Sequence, residues 1–223
     1  MTTSEQFEML SADNAVALLV DHQAGLMLFT GDIDPVHLRN NSIALAKVLK
    51  LHNIPVVLTA AAMGPAGPLG PIIPEIQELF PDVEPIYRTK INSMHDPRIR
   101  GAIEATGRRK VICAGITADF CIGIPAKTMA SEGYDVRLVM DASGNYSDMV
   151  LQTSIANLTQ YGVKVSNWLS TACELLGDWA DKPKAEGLLE IYREHLPQWS
   201  MLSIANDVFR QHLDQDPVRM AAE

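Results

Sequence analysis

Short apolar runs rich in valine and isoleucine alternate along this chain with longer stretches of helical spacing. Six runs are expected as strands: Ala15 to Val20, Pro55 to Thr59, Glu84 to Tyr87, Lys110 to Ile116, Val136 to Met140 and Val163 to Ser166. The first, second and fourth are apolar almost without interruption, which is the pattern of strands buried on both faces rather than on one. Strands alternating with helices in this way predict βαβ units. The expected fold is therefore α/β, a three-layer α/β/α sandwich around a mainly parallel six-stranded sheet.

Local signals place the helices. Asp34 before Pro35 is a capping residue followed by the first helical position, and Leu38, Leu45 and Leu49 then recur on one face. Asp96 and Pro97 repeat the device, and the helix after Cys121 is expected to end near Gly133. Further helices are expected from Ser147 to Tyr161, Glu186 to His195 and Leu202 to His212. Residues 1–223 read as one domain, with a helical extension from about residue 178 to the end. The stretch from Met63 to Pro74, MGPAGPLGPIIP, is too rich in glycine and proline for a helix. It follows a strand and so overhangs the carboxyl edge of the sheet, where open α/β sheets bind ligands; it fits a pocket wall or lid as well as a rigid connector. Its glycine spacing is not GxGxxG, which argues against a dinucleotide site.

Composition narrows the function. With 223 residues, 47% of them hydrophobic, the chain can bury one sizeable core. A net charge of -9 without a basic patch argues against a nucleic-acid or anionic-membrane partner and favours a small-molecule substrate. No apolar run approaches the roughly 18 to 20 residues of a membrane span, and the amino terminus lacks a secretory pattern, so a cytoplasmic protein is expected. Three cysteines, at 113, 121 and 173, form neither a CxxC pair nor an even framework, as expected of free thiols in a reducing compartment.

Cys121 is the leading candidate for chemistry. It follows the fourth run in AGITADFC, at an expected helix start, where unpaired backbone N–H groups favour a thiolate below the free pKa of about 8.5. Asp21 ends the first run and should neighbour it across the switch point of a doubly wound sheet, within reach to act as base and acid. Lys90, in KINSM, would support both charges. Each residue also fits a structural role: a small buried hydrophobe, a carboxylate satisfied by the DHQAG turn, a solvated surface charge.

In their order along the chain, ALLVDHQAG, KINSM and AGITADFC resemble the isochorismatase-like cysteine hydrolases. MGPAGPLGP, DAS and ACEL point within them to a YcaC-like subgroup. The resemblance covers about Asn14 to the helix before Asp178. It implies an Asp21, Lys90 and Cys121 triad that attacks a carbonyl carbon, usually of an amide, to give a thioester. It also implies a cis peptide between Ile116 and Thr117, an oxyanion hole of the Thr117 and Cys121 N–H groups, and a ring-based homo-oligomer of which an octamer is one form. Asn92 and the 63–74 loop are candidates to line the pocket. Where the family's nicotinamidases carry a metal-binding Asp-x-His, this chain reads LTAAAMGP, so no metal is expected, and no cofactor. Relatives that cleave the vinyl ether of isochorismate commonly lack the cysteine, which favours C–N hydrolysis. The remaining alternatives are that vinyl ether reaction and a non-catalytic binding or assembly protein. In the latter case Trp179, Trp199, Met201 and Leu202 would pack across subunits or on their own.

Overall fold

The computed structural model describes residues 7–61 and 66–214, without the side chains of 211–214. Six parallel strands form one sheet: β1 (Ala15–Val20), β2 (Val56–Ala61), β3 (Ile86–Arg88), β4 (Lys110–Gly115), β5 (Asp135–Val139) and β6 (Lys164–Ser166). Their spatial order is β3-β2-β1-β4-β5-β6. Each expected run is a strand within two residues of its expected bounds, and the β1 to β4 neighbourhood follows from the order. β1 and β4 are fully buried along their length, because helices cover both faces as parallel crossovers require.

One face of the sheet is covered by α2 (Pro35–Leu51), with α7 (Trp168–Leu176) and α8 (Lys182–His195) packed against it. The other is covered by α4 (Pro97–Glu104), α5 (Gly123–Ser131) and α6 (Asp148–Gln160). The caps do what the sequence suggests. Asp34 accepts from Val36 N at 2.8 Å and Asp96 from Arg98 N at 3.0 Å, satisfying orphan donors at the starts of α2 and α4. Short helices α1 (Ala24–Met27) and α3 (Pro74–Leu79) flank the segment from Gly67 to Ile73, which lies against the DHQAG turn. Gly25 N donates to Leu69 O at 3.1 Å and Ile73 N to His22 O at 2.9 Å. Met63 to Pro65 of the expected loop lie outside the described residues.

Beyond α7, α8 docks on α2, and α9 (Pro197–Asp214) follows. Trp199 packs on its own subunit, its ring 5.9 Å from that of Tyr192. Trp179 meets the same ring at 6.4 Å and stays half-exposed. Met201, Leu202, Ile204, Val208 and Phe209 leave an apolar face of α9 in the open. No helix among the described residues is long and apolar enough to cross a membrane.

Two glycines with opposite demands test this architecture. A Cβ at Gly115 would stand 2.7 Å from both the Cβ and the carbonyl oxygen of Val20, because β4 and β1 meet there directly. At Gly101, inside α4, nothing lies within 4 Å. Gly115→Ala is expected to lower the urea-unfolding free energy by about 1–3 kcal/mol. Gly101→Ala is expected to raise it by about 0.5–1 kcal/mol through helix propensity.

Candidate active site

The carboxyl ends of β1, β3 and β4 bring three side chains to one point. Asp21 follows β1 immediately and adopts φ 58°, a left-handed conformation unusual for a residue with a side chain but tolerated by aspartate. Its N–H still bonds Thr59 O at 2.9 Å, and Gln23 N returns to Asp21 O at 2.7 Å, so the chain turns sharply at this residue. The carboxylate is fully buried. Oδ2 accepts from Arg88 Nη2 at 2.5 Å, while Oδ1 accepts from Thr59 Oγ1 at 3.4 Å. The Cys121 thiol lies beside the same carboxyl group, close enough for each to shift the other's titration.

The cation at this site is Arg88, a residue that the sequence reading passed over. Lys90, expected in that role, is exposed, and only its carbonyl oxygen takes part, accepting from Arg88 Nη1 at 2.7 Å. The reason is the register of β3. Arg88 is its last residue, paired with Ala61 on β2, and its side chain is buried among the strand ends, whereas Lys90 lies beyond the strand. Guanidinium and carboxylate are both almost wholly removed from water, a state that survives only because each is the other's partner.

Cys121 is 8% exposed and precedes α5, whose first residue is Gly123; the thiol is not in the helix's first turn. The turn carrying it is tight. Ile122 N bonds Thr117 O at 3.2 Å, and a Cβ on Gly123 would stand 2.2 Å from Ala118 O. The peptide between Ile116 and Thr117 is cis. The Thr117 N–H lies near enough to the Cys121 sulfur to favour its charged form. Among the described residues the Cys121 N–H has no acceptor. Two contacts fix this turn to its surroundings: Ala118 N to Gly144 O at 3.0 Å, and Gly115 N to Ser143 Oγ at 3.0 Å.

Electrostatically the site differs from the expected thiolate. Burial, and then the charge of Asp21, push the Cys121 thiol up to about 12, against the smaller opposing pull of the Thr117 N–H and Arg88. Burial also raises Asp21 to about 6, with Arg88 the main force holding it from rising further. At neutral pH the resting pair is a thiol beside a carboxylate. Such a pair can pass the sulfur proton to oxygen at the moment the sulfur attacks, without a standing thiolate.

The other expected positions have different fates. Asn92 caps a short turn of 3-10 helix, Ser93–His95: its Oδ1 accepts from Met94 N at 3.1 Å, and its Nδ2 meets Thr128 Oγ1 at 2.9 Å. Both ends of its amide are therefore committed to structure and not to a ligand. His22, beside Asp21, is buried with Nε2 on Ala142 O at 3.0 Å, and burial lowers it to about 4, so it stays neutral. Cys113 is sealed in the core, where burial alone drives its thiol up, and Cys173 is exposed on α7 with its sulfur 3.3 Å from Tyr192 Oη. Among the described residues, no group of three or more His, Cys, Asp or Glu side chains is placed to hold a metal ion.

Comparison with known proteins places the chain in a family. Residues 15–170 match the family model of the isochorismatase domain. The Escherichia coli K12 protein named "Probable hydrolase YcaC" is 35% identical over 200 residues, which span 89% of this chain and 94% of that protein. YcaC from Pseudomonas aeruginosa, solved with hexane-2,5-diol and covalent acrylamide, superimposes with a TM-score of 0.86 at 36% identity, covering 92% of this chain and 100% of that one. Escherichia coli YcaC, described as an octameric hydrolase of unknown specificity, gives 0.87 at 34% identity with the same coverage. With the family model matched over residues 15–170 and this likeness running nearly the length of both chains, the chain belongs to the isochorismatase-like hydrolase family, where it is similar to the YcaC proteins.

Proposed function

We propose that the protein is a metal-independent cysteine hydrolase that cleaves a C–N, amide-type bond of a small acyl substrate. The observation that carries the reading is the buried Asp21–Arg88 ion pair beside the buried Cys121 thiol, at the carboxyl ends of adjoining strands. In acylation, Asp21 takes the Sγ proton as the sulfur bonds the carbonyl carbon. The carbonyl π electrons move to oxygen, where the N–H groups of Thr117 and Cys121 receive the charge. The protonated Asp21 then gives its proton to the leaving nitrogen as the C–N bond breaks, leaving a thioester. Water attacks that thioester, with Asp21 again taking a proton, and the C–S bond breaks to return thiol and carboxylate. Arg88 moves no proton, because a guanidinium does not give one up near neutral pH; it keeps Asp21 a usable base. The covalent acrylamide on the Pseudomonas aeruginosa YcaC supports a nucleophile in that relative.

We also infer self-association through the apolar face of α9. Five large apolar side chains there face solvent, and the Escherichia coli YcaC is an octamer. Light scattering is expected to give a mass several times the 24.4 kDa of one chain; a monomer mass would overturn this.

The chemistry is tested with a panel of amides and peptide mass spectrometry. Turnover should be accompanied by an acyl adduct on the Cys121 peptide, and Cys121→Ser should slow it by about a thousandfold or more. Full turnover by that variant would sink the reading.

The pH dependence follows from the two shifts. Iodoacetamide labelling of Cys121 should rise as Asp21 ionises through about 6, then level off, because the carboxylate supplies the base. An unassisted thiol would instead keep accelerating toward about 12. Arg88→Met removes the charge that lowers the Asp21 pKa, so the midpoint should move above that of the parent protein. An unchanged midpoint would remove Arg88 from the site.

A further inference from the structure

Beside the nucleophile stand three aromatic rings that the proton transfers do not use. Phe120 precedes Cys121 in the chain. The Tyr146 ring stacks on it with centroids 6.2 Å apart and planes at 23°, and the Phe29 ring meets Tyr146 edge-on at 5.2 Å and 89°. These are the arrangements that aromatic quadrupoles favour, so the rings form one continuous surface. Phe120 is partly buried against the core, but the other two rings are open. Phe29 is 62% exposed, Tyr146 37% and the neighbouring Leu28 75%. An apolar surface left open next to reactive groups is where a ligand's apolar part is buried.

The two loops that carry Phe29 and Tyr146 are also stapled to each other, which fixes the surface in advance of binding. Gly31 N bonds Asn145 O at 2.8 Å, while the Asp32 carboxylate accepts from Asn145 N at 2.7 Å and from its Nδ2 at 3.0 Å. The loops approach so closely that a Cβ on Gly31 would stand 2.3 Å from Tyr146 O. Asn145 is fully buried to make these contacts. Rings held on a clamped backbone lose little freedom when a ligand arrives.

Charge limits what that ligand can be. Asp119, hydrogen-bonded by Thr117 Oγ1, lies near the Tyr146 phenol, and the buried guanidinium of Arg88 is already matched by Asp21. A carboxylate on the substrate would meet a negative neighbour, while the buried cation of the site is already neutralised.

We propose that Phe29, Tyr146 and Phe120 are the specificity wall of the site and select an uncharged substrate carrying an aryl or bulky alkyl group beside the scissile carbonyl. The proposal rests on the reading of Cys121 as the nucleophile, and it adds the substrate class to it. Phe29 and Tyr146 act by contact with the substrate's apolar group and take no part in proton transfer.

The test compares Cys121 alkylation by N-benzyl iodoacetamide, iodoacetamide and iodoacetate in the full-length protein at neutral pH. Each rate is divided by the rate of the same reagent with glutathione, which removes intrinsic reactivity. The benzyl reagent is expected to be favoured over iodoacetamide by about tenfold, and iodoacetate to be the slowest. The benzyl preference should collapse toward unity in Phe29→Ala and Tyr146→Ala and persist in Tyr146→Phe, which keeps the ring. Equal normalised rates in the parent protein, or a preference that survives both alanine variants, would overturn the wall while leaving the nucleophile in place. If no reagent labels Cys121 in the folded protein but all do after unfolding, the nucleophile reading fails and takes the wall with it.

Discussion

The site depends on the ion pair between Asp21 and Arg88. A carboxylate removed from water reverts to the neutral acid unless something opposes it, and burial is already the largest influence on Asp21. Arg88 is what keeps the group ionisable within reach of neutral pH, and Arg88 is itself buried only because Asp21 faces it. Neither charge would persist alone in that position. The pair spans the sheet from β3 to β1, and Cys121, at the end of β4, completes the row from the other side of β1. The left-handed turn at Asp21 and the tight turn from Thr117 to Gly123 belong to the same construction, since together they hold carboxylate and thiol side by side at the ends of their strands.

The scaffold was largely legible in the sequence because burial on both faces writes strands as unbroken apolar runs, and β1 and β4 are such strands. Asp21 was legible as a candidate for a related reason, a charged residue directly after a buried strand, and Cys121 as a thiol in the short segment between a buried strand and the next helix. Arg88 was not. β3 is three residues long and only partly buried, so no periodicity marks where it ends, and the choice between Arg88 and Lys90 turns on one step of register against Ala61. Pattern gives no access to that step. The protonation state of Cys121 was missed for a different cause. The expected helix dipole favours a thiolate, but the thiol precedes the helix, and loss of water together with the adjacent carboxylate outweighs what the Thr117 N–H offers. Asn92 is a polar side chain near the site whose amide is spent on a cap and on the Thr128 hydroxyl of α5.

The YcaC likeness extends over 92% of the chain, so the sheet sits in a shared frame. What a shared frame leaves open is the ground around the nucleophile, since function is decided by the site and not by the fold. In this chain that ground is built from the loop after β1 and the loop after β5, joined through Asp32 and Asn145.

The staple between those loops separates two kinds of sequence change. The carboxylate, guanidinium and thiol are anchored at strand ends in the interior, where most substitutions cost folding free energy as well as reactivity. Phe29 and Tyr146 project from a backbone whose conformation is set by Asp32, Asn145 and Gly31, so their rings can be exchanged without disturbing the hydrogen bonds that hold them. Mutational drift at these two exposed positions is therefore nearly free in stability while acting directly on which molecules the enzyme encounters productively. A lineage carrying this frame can alter two exposed side chains and leave the buried strand-end groups untouched.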